Sequence, residues 1–122
     1  RQVWNGERGR VYFFQNELPY DPETQEQWTA DDGTLGWAAY KITENVQEHE
    51  LWCGGAYCYN RNNPDIVTTN GFEAPNREGV SLNHIYTINL SGPGSIFNVV
   101  NGIGETVNEA DRGPSYVVKF PQ

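Results

Sequence analysis

The chain has 122 residues, enough for one domain, 1–122, with a modest core and no need of many cross-links. Its 8 Lys and Arg stand against 16 Asp and Glu, a formal charge of −8 with a pI near 4.6, which excludes general nucleic-acid binding and anionic membranes as default partners. Aromatic residues make up 13% of a chain whose mean hydropathy is −0.69; this excludes disorder, and no apolar run approaches the roughly 20 residues that span a bilayer.

In chain order, the β-branched and aromatic run at 10–14 predicts a strand, and the acidic segment 16–27, with Pro19 and Pro22, predicts a surface loop. Leu35, Ala38, Ala39, Ile42 and Val46 recur at helical spacing behind Asp31, Asp32 and Thr34 as caps, which predicts a short amphipathic helix over 34–48. Residues 50–60 predict a strand interrupted at Gly54 and Gly55, and 65–72 an apolar pair followed by an Asn70-Gly71 turn. Over 84–90, Ile85, Thr87 and Asn89 alternate with Tyr86, Ile88 and Leu90, the pattern of a half-buried strand. A turn at 91–95, a short strand, a polar segment with room for one helical turn and a closing strand at 115–120 complete the chain. The expected class is α+β, mostly antiparallel sheet with one clear short helix, in a single compact domain.

The chain has no Met and begins Arg1-Gln2-Val3, as expected of a mature segment whose leader has been removed. Two Cys and an Asn89-Leu90-Ser91 sequon, with Asn89 as the glycosylation acceptor, add to an expected secreted, extracellular protein. Gly54 and Gly55 give the backbone freedom to bring Cys53 and Cys58 together as a disulfide. The rival reading of these residues, a metal site made with His49 and His84, lacks the paired-cysteine spacing of a zinc knuckle, so no metal is expected. A nuclease built on His49, His84, Glu48, Glu50 and Arg112 is opposed by the negative charge. Exposed Trp or Tyr flanked by Asn and Asp would instead stack on sugar rings, which keeps glycan binding open.

From Tyr57 to Phe97 the order of short motifs resembles the nicotinamide-cofactor-binding half of ADP-ribosyltransferase toxins of the pertussis, cholera and pierisin type. The matching runs are Tyr57-Cys58-Tyr59-Asn60, Pro64-Asp65-Ile66-Val67, Asn70-Gly71-Phe72 and Leu82-Asn83-His84-Ile85. The family's strand arginine falls on Cys58, its acidic partner on Asn60 and its Ser-Thr-Ser strand on Asn98-Val99-Val100, while an acidic triplet, Glu48-His49-Glu50, lies upstream. The resemblance with these losses implies the fold without the reaction: a small secreted effector, toxin-like or defence protein that binds an unknown protein or glycan target without a cofactor. Its ligand-binding residues would be Tyr57, Tyr59, Arg61, Asn62, Asn63 and Arg77. One alternative is an active ADP-ribosyltransferase or NAD glycohydrolase, with NAD as cofactor and Glu48, Glu50 and His84 as catalytic residues; the other is a lectin-like glycan-binding protein.

Overall fold

The computed structural model describes residues 1–61 and 66–122. Its strands are β1 (Gln2–Trp4), β2 (Gly9–Tyr12), β3 (Gln15–Glu17), β4 (Tyr40–Ile42), β5 (His49–Cys58), β6 (Val67–Glu73), β7 (Val80–Asn89), β8 (Ser95–Val100) and β9 (Ser115–Phe120). The helical content among the described residues is a single 3-10 turn at Glu26–Trp28. One sheet has the order β1-β4-β6-β8, all parallel; the other pairs β2 and β3 with β5, and β5 with β7, again parallel, before β9 joins β7 antiparallel. The chain thus winds as a β-solenoid, each turn laying one strand on the first sheet and the next on the second before a loop starts the following turn.

In-register stacking builds the core. Tyr40, Phe72 and Val100 are successive register partners in the first sheet and are fully buried. In the second, Val11, Leu51, Leu82 and Phe120 form one such file and Gly54, Ile85 and Val117 another. Neighbouring strands lie about 4.8 Å apart, so each inward side chain rests on the one a turn below and the apolar files fill the interior.

The second sheet is bent along its length. Phe13, Cys53 and His84 follow the register partners Tyr12, Trp52 and Asn83 and have φ of +60°, +61° and +52°. A left-handed residue at the same place in each turn redirects the strand. The sheet therefore has a first limb before this corner and a second limb after it.

The expected α+β class with antiparallel pairing is corrected to a nearly all-β, parallel architecture. The helix read over 34–48 is not formed. Gly36 has a φ of +76°, Thr29 bridges Leu35, and Ala39 exchanges hydrogen bonds with Gln2 and Gly71 on either side. Ala38, Ala39, Ile42 and Val46 are buried because the chain enters the first sheet as β4, between β1 and β6, and that cross-turn pairing overrides a helical spacing of apolar residues. Asn70-Gly71 lies inside β6 rather than in a turn. A Cβ on Gly71 would come 2.6 Å from the Thr87 methyl, so glycine there lets the two sheets approach.

The loop between β3 and β4 is tied down by side chains that act like backbone. The Gln25 amide accepts from the Val67 N–H at 2.6 Å and donates to the Val67 carbonyl at 3.0 Å, and the Trp28 indole donates to Thr68 at 2.8 Å.

Candidate functional site

The structure separates the residues expected to act together. Glu48 and Glu50 lie outside the first limb, in ion pairs with Arg8 and Arg10 at 3.3 Å each. His84 sits at the corner, its ring stacked with Trp52 at 6.4 Å between centroids, while the register partner of Glu50 is Ser81. The hollow of about 500 Å³ beside the acidic pair is lined by Arg8, Gly9, Arg10, Glu48, His49, Glu50 and Gly79, without His84. His49 itself is buried, shares a 2.7 Å hydrogen bond with the Tyr40 hydroxyl, and is held below the usual imidazole range by burial, against which Glu50 pulls upward.

Cys53 and Cys58 are both free, which overturns the expected disulfide. Gly54 and Gly55 continue an extended strand instead of turning, so roughly 3.3 Å per residue separates the cysteines far beyond bridging distance. Cys58 points inward and burial pushes its thiol up to about 12; Cys53 is exposed at the corner. Among the described residues no group of three or more His, Cys, Asp and Glu gathers as metal ligands. Asn89 is fully buried and its amide donates to the carbonyls of Gly92 and Gly94 at 2.9 and 3.0 Å, so in this fold it clamps a loop and has no room for a glycan.

The expected ligand-binding set divides into three places. Arg77 reaches the Glu44 carbonyl at 2.8 Å, at the end of the solenoid turn away from Tyr57. Asn62 and Asn63, with Pro64 and Asp65 of the motif run, lie outside the described residues. Tyr59 and Arg61 cluster with Tyr20 and Asp21: the two tyrosine rings meet edge to face at 5.3 Å, the Arg61 guanidinium lies 5.7 Å over the Tyr20 ring, and it meets Asp21 at 3.4 Å.

Tyr57 belongs to a denser arrangement on the outer face of the second limb. Outward positions there are Gln15 and Glu17 on β3, Gly55 and Tyr57 on β5, Tyr86 and Ile88 on β7, and Tyr116 on β9. The Tyr57 and Tyr86 hydroxyls share a hydrogen bond of 2.7 Å, their rings are 5.9 Å apart, and Tyr86 and Tyr116 are 5.3 Å apart. Gly55 makes this possible. A Cβ there would meet the Tyr57 hydroxyl at 2.4 Å and the Tyr86 ring at 2.9 Å, so only a bare backbone lets both rings lie over the sheet. Burial pushes the Tyr57 phenol well up; the bond with Tyr86 and the charges of Tyr86 and Glu17 add to it, so the hydroxyl keeps its proton at neutral pH. Glu17 is exposed, is the register partner of Tyr57, and has no ion pair among the described residues. A row of rings tilted 49° and 47° from one to the next, edged by hydroxyls, an amide and a free carboxylate, has the make-up of a surface for a sugar: rings for the apolar side of a pyranose, polar groups for its hydroxyls.

No family model matches the chain. It is 40% identical over 119 residues, 97% of its length, to an exo-beta-1,3-glucanase of Streptomyces sp. (strain SirexAA-E / ActE), of which it covers 19%. The structure matches that of sacteLam55A from Streptomyces sp. SirexAA-E with a TM-score of 0.92 at 40% identity, over 98% of this chain and 22% of that one. A glutamate-to-alanine variant of sacteLam55A in complex with glucose matches with the same TM-score at 39% identity. The chain is similar to a segment of a glucanase. It spans about a fifth of the length of these relatives.

This likeness, over nearly the whole chain, overturns the ADP-ribosyltransferase resemblance and with it the toxin-like effector. The motif order from Tyr57 to Phe97 reflects successive turns of a solenoid, with Leu82 stacked on Leu51 and Phe72 on Tyr40. Among the described residues no helix is long and apolar enough to cross a membrane.

The sequence reading found Tyr57 but passed over Glu17, Tyr86 and Tyr116. Glu17 lay in a segment taken for loop, and the two tyrosines looked like ordinary strand residues. The available signal was tyrosine at an outward, non-core position in each of three strands.

Proposed function

We propose that this chain is a glycan-contacting segment of a protein that acts on a β-1,3-glucan, and that the outer face of the second limb meets the sugar. The observation that carries the reading is the free carboxylate of Glu17 beside the hydrogen-bonded pair Tyr57 and Tyr86, in a chain 40% identical to a segment of an exo-beta-1,3-glucanase. Glycoside hydrolysis uses carboxyl groups at the scissile bond, one of them protonating the leaving oxygen as the bond to the anomeric carbon breaks. Glu17 would supply one such group; Glu48 and Glu50 are less suited because each is neutralised by an arginine. A polysaccharide too large to cross a membrane is met outside the cell, so an extracellular location goes with this reading.

The test is glucose release from a soluble β-1,3-glucan by the protein and by its Glu17→Gln variant. Losing a carboxylate at the scissile bond should slow turnover by at least about 100-fold. Glu50→Gln, which disturbs only a surface ion pair, should stay within about twofold of the parent. Full turnover in Glu17→Gln would remove Glu17 from the chemistry, and no binding of β-1,3-glucan by the parent would remove the reading.

A further inference from the structure

The tyrosine row does not stop where the parallel turns stop. β9 enters antiparallel and presents Tyr116 as the register partner of Tyr86, so a third ring continues the row one strand further from Tyr57 and Glu17. Tyr116 is 63% exposed, against the half-buried Tyr57 and Tyr86. Beyond it opens a hollow of about 350 Å³ whose wall includes Tyr116, Ser115, Glu105, Thr106 and Asp111. The hollow is a built feature. The Asn108 side chain accepts from the N–H groups of Ala110 and Asp111 at 2.9 and 2.8 Å, and Thr106 donates to the Phe97 carbonyl at 3.0 Å.

We infer that Tyr116 and this hollow form a separate sugar subsite, which takes a further glucosyl unit of the same β-linked glucan that meets Glu17. The inference rests on the proposed function and adds to it the direction in which the bound chain runs. Three features point the same way. Strand spacing of about 4.8 Å puts successive rings of the row roughly one pyranose apart, so a chain lying across the strands presents a new sugar face to each ring. An exposed tyrosine ring offers the stacking surface that sugars use, at little entropic cost because its neighbour Tyr86 already fixes it. Glu105 and Asp111 set acceptors at the rim for the hydroxyls that project from a stacked ring.

The inference is tested by calorimetric titration of the protein with glucose and with β-1,3-linked gluco-oligosaccharides of increasing length. For the parent, affinity should climb with length until the chain reaches Tyr116. Tyr116→Ala should weaken the longer oligosaccharides by about 3- to 10-fold and leave glucose binding unchanged. Tyr116→Phe, which keeps the ring, should restore most of the loss, an outcome that a merely structural defect would not give. Equal affinity of parent and Tyr116→Ala for every length would overturn the subsite. If Glu17→Gln still abolishes turnover in that case, the proposed function stands without it, whereas a parent that binds no β-1,3-glucan removes both. Melting curves of the variants guard against misfolding, and with a ring so exposed they should overlay the parent's.

Discussion

The two limbs of the second sheet both carry aromatic rings outside, yet they treat their carboxylates differently. Before the corner at Phe13, Cys53 and His84, charges answer one another from turn to turn, Arg10 with Glu50 and Arg8 with Glu48, beside the exposed rings of Tyr12 and Trp52. After it, the outward residues are Gln15, Glu17, Gly55, Tyr57, Tyr86, Ile88 and Tyr116, and the carboxylate has no cation among the described residues. Inside, both limbs carry stacked apolar files, and the second adds a more polar one of Asn16, Ala56, Thr87 and Ser115. A stacked fold satisfies its own surface by placing complementary groups one turn apart; where that is not done, the surface is available to something else.

The comparison breaks most severely in the interior, where the limbs should behave the same. Leu51→Ala below the first limb and Ile85→Ala below the second should each destabilise by about 2–5 kcal/mol in denaturant unfolding; a much milder loss on one side would mean that the interior is not uniformly packed. Acid should expose the first limb next. Burial holds the folded His49 pKa below the ordinary imidazole value of 6.5, so its contribution is present above that pH and is lost as pH falls through the window beneath it. The unfolding free energy should decline there by at most about 1.4 kcal/mol per pH unit, and His49→Gln should flatten the slope.

On the second limb, Gly55→Ala should separate function from stability. The new methyl displaces ring ends rather than backbone, so we expect a change of about 1 kcal/mol or less, with loss of the Tyr57 to Tyr86 hydrogen bond and about tenfold weaker glucan binding. Unaltered binding would mean that the tyrosines do not need this placement. Glu50→Gln on the first limb should cost about 0–1 kcal/mol and leave glucan binding alone. The smallest signal is at the corner itself: a thiol reagent should label Cys53 in the native protein and Cys58 only on unfolding.

Local pattern made the strands legible. Ile85, Thr87 and Asn89 share one face as the alternation predicted, though the alternation did not tell that this is the buried one, and the closing strand spans Ser115–Phe120 as expected. Parallel winding was hidden because its period is irregular: the register partners Gln2, Tyr40, Phe72 and Val100 are unequally spaced, so no fixed repeat stands out. The spacing over 34–48 suggests a helix because apolar residues around the central strand β4 happen to fall at helical intervals, and only Gly36 argues otherwise. Of the proposed site, Tyr57 was legible from its aromatic and polar surroundings. Glu17 was not, since nothing local shows that β3 will be laid beside β5.

The reversal of β9 bears on how the molecule meets copies of itself. At this end the open edge of β7 is taken by a strand running the other way, and the segment after β8 folds back to bridge Ile96 with Val107 and Val100 with Ile103. Stacked parallel sheets are natural templates for fibre growth, because each edge repeats the register that the next copy needs. With β9 antiparallel on β7, the parallel register that such growth would copy is not carried past β7 in this sheet.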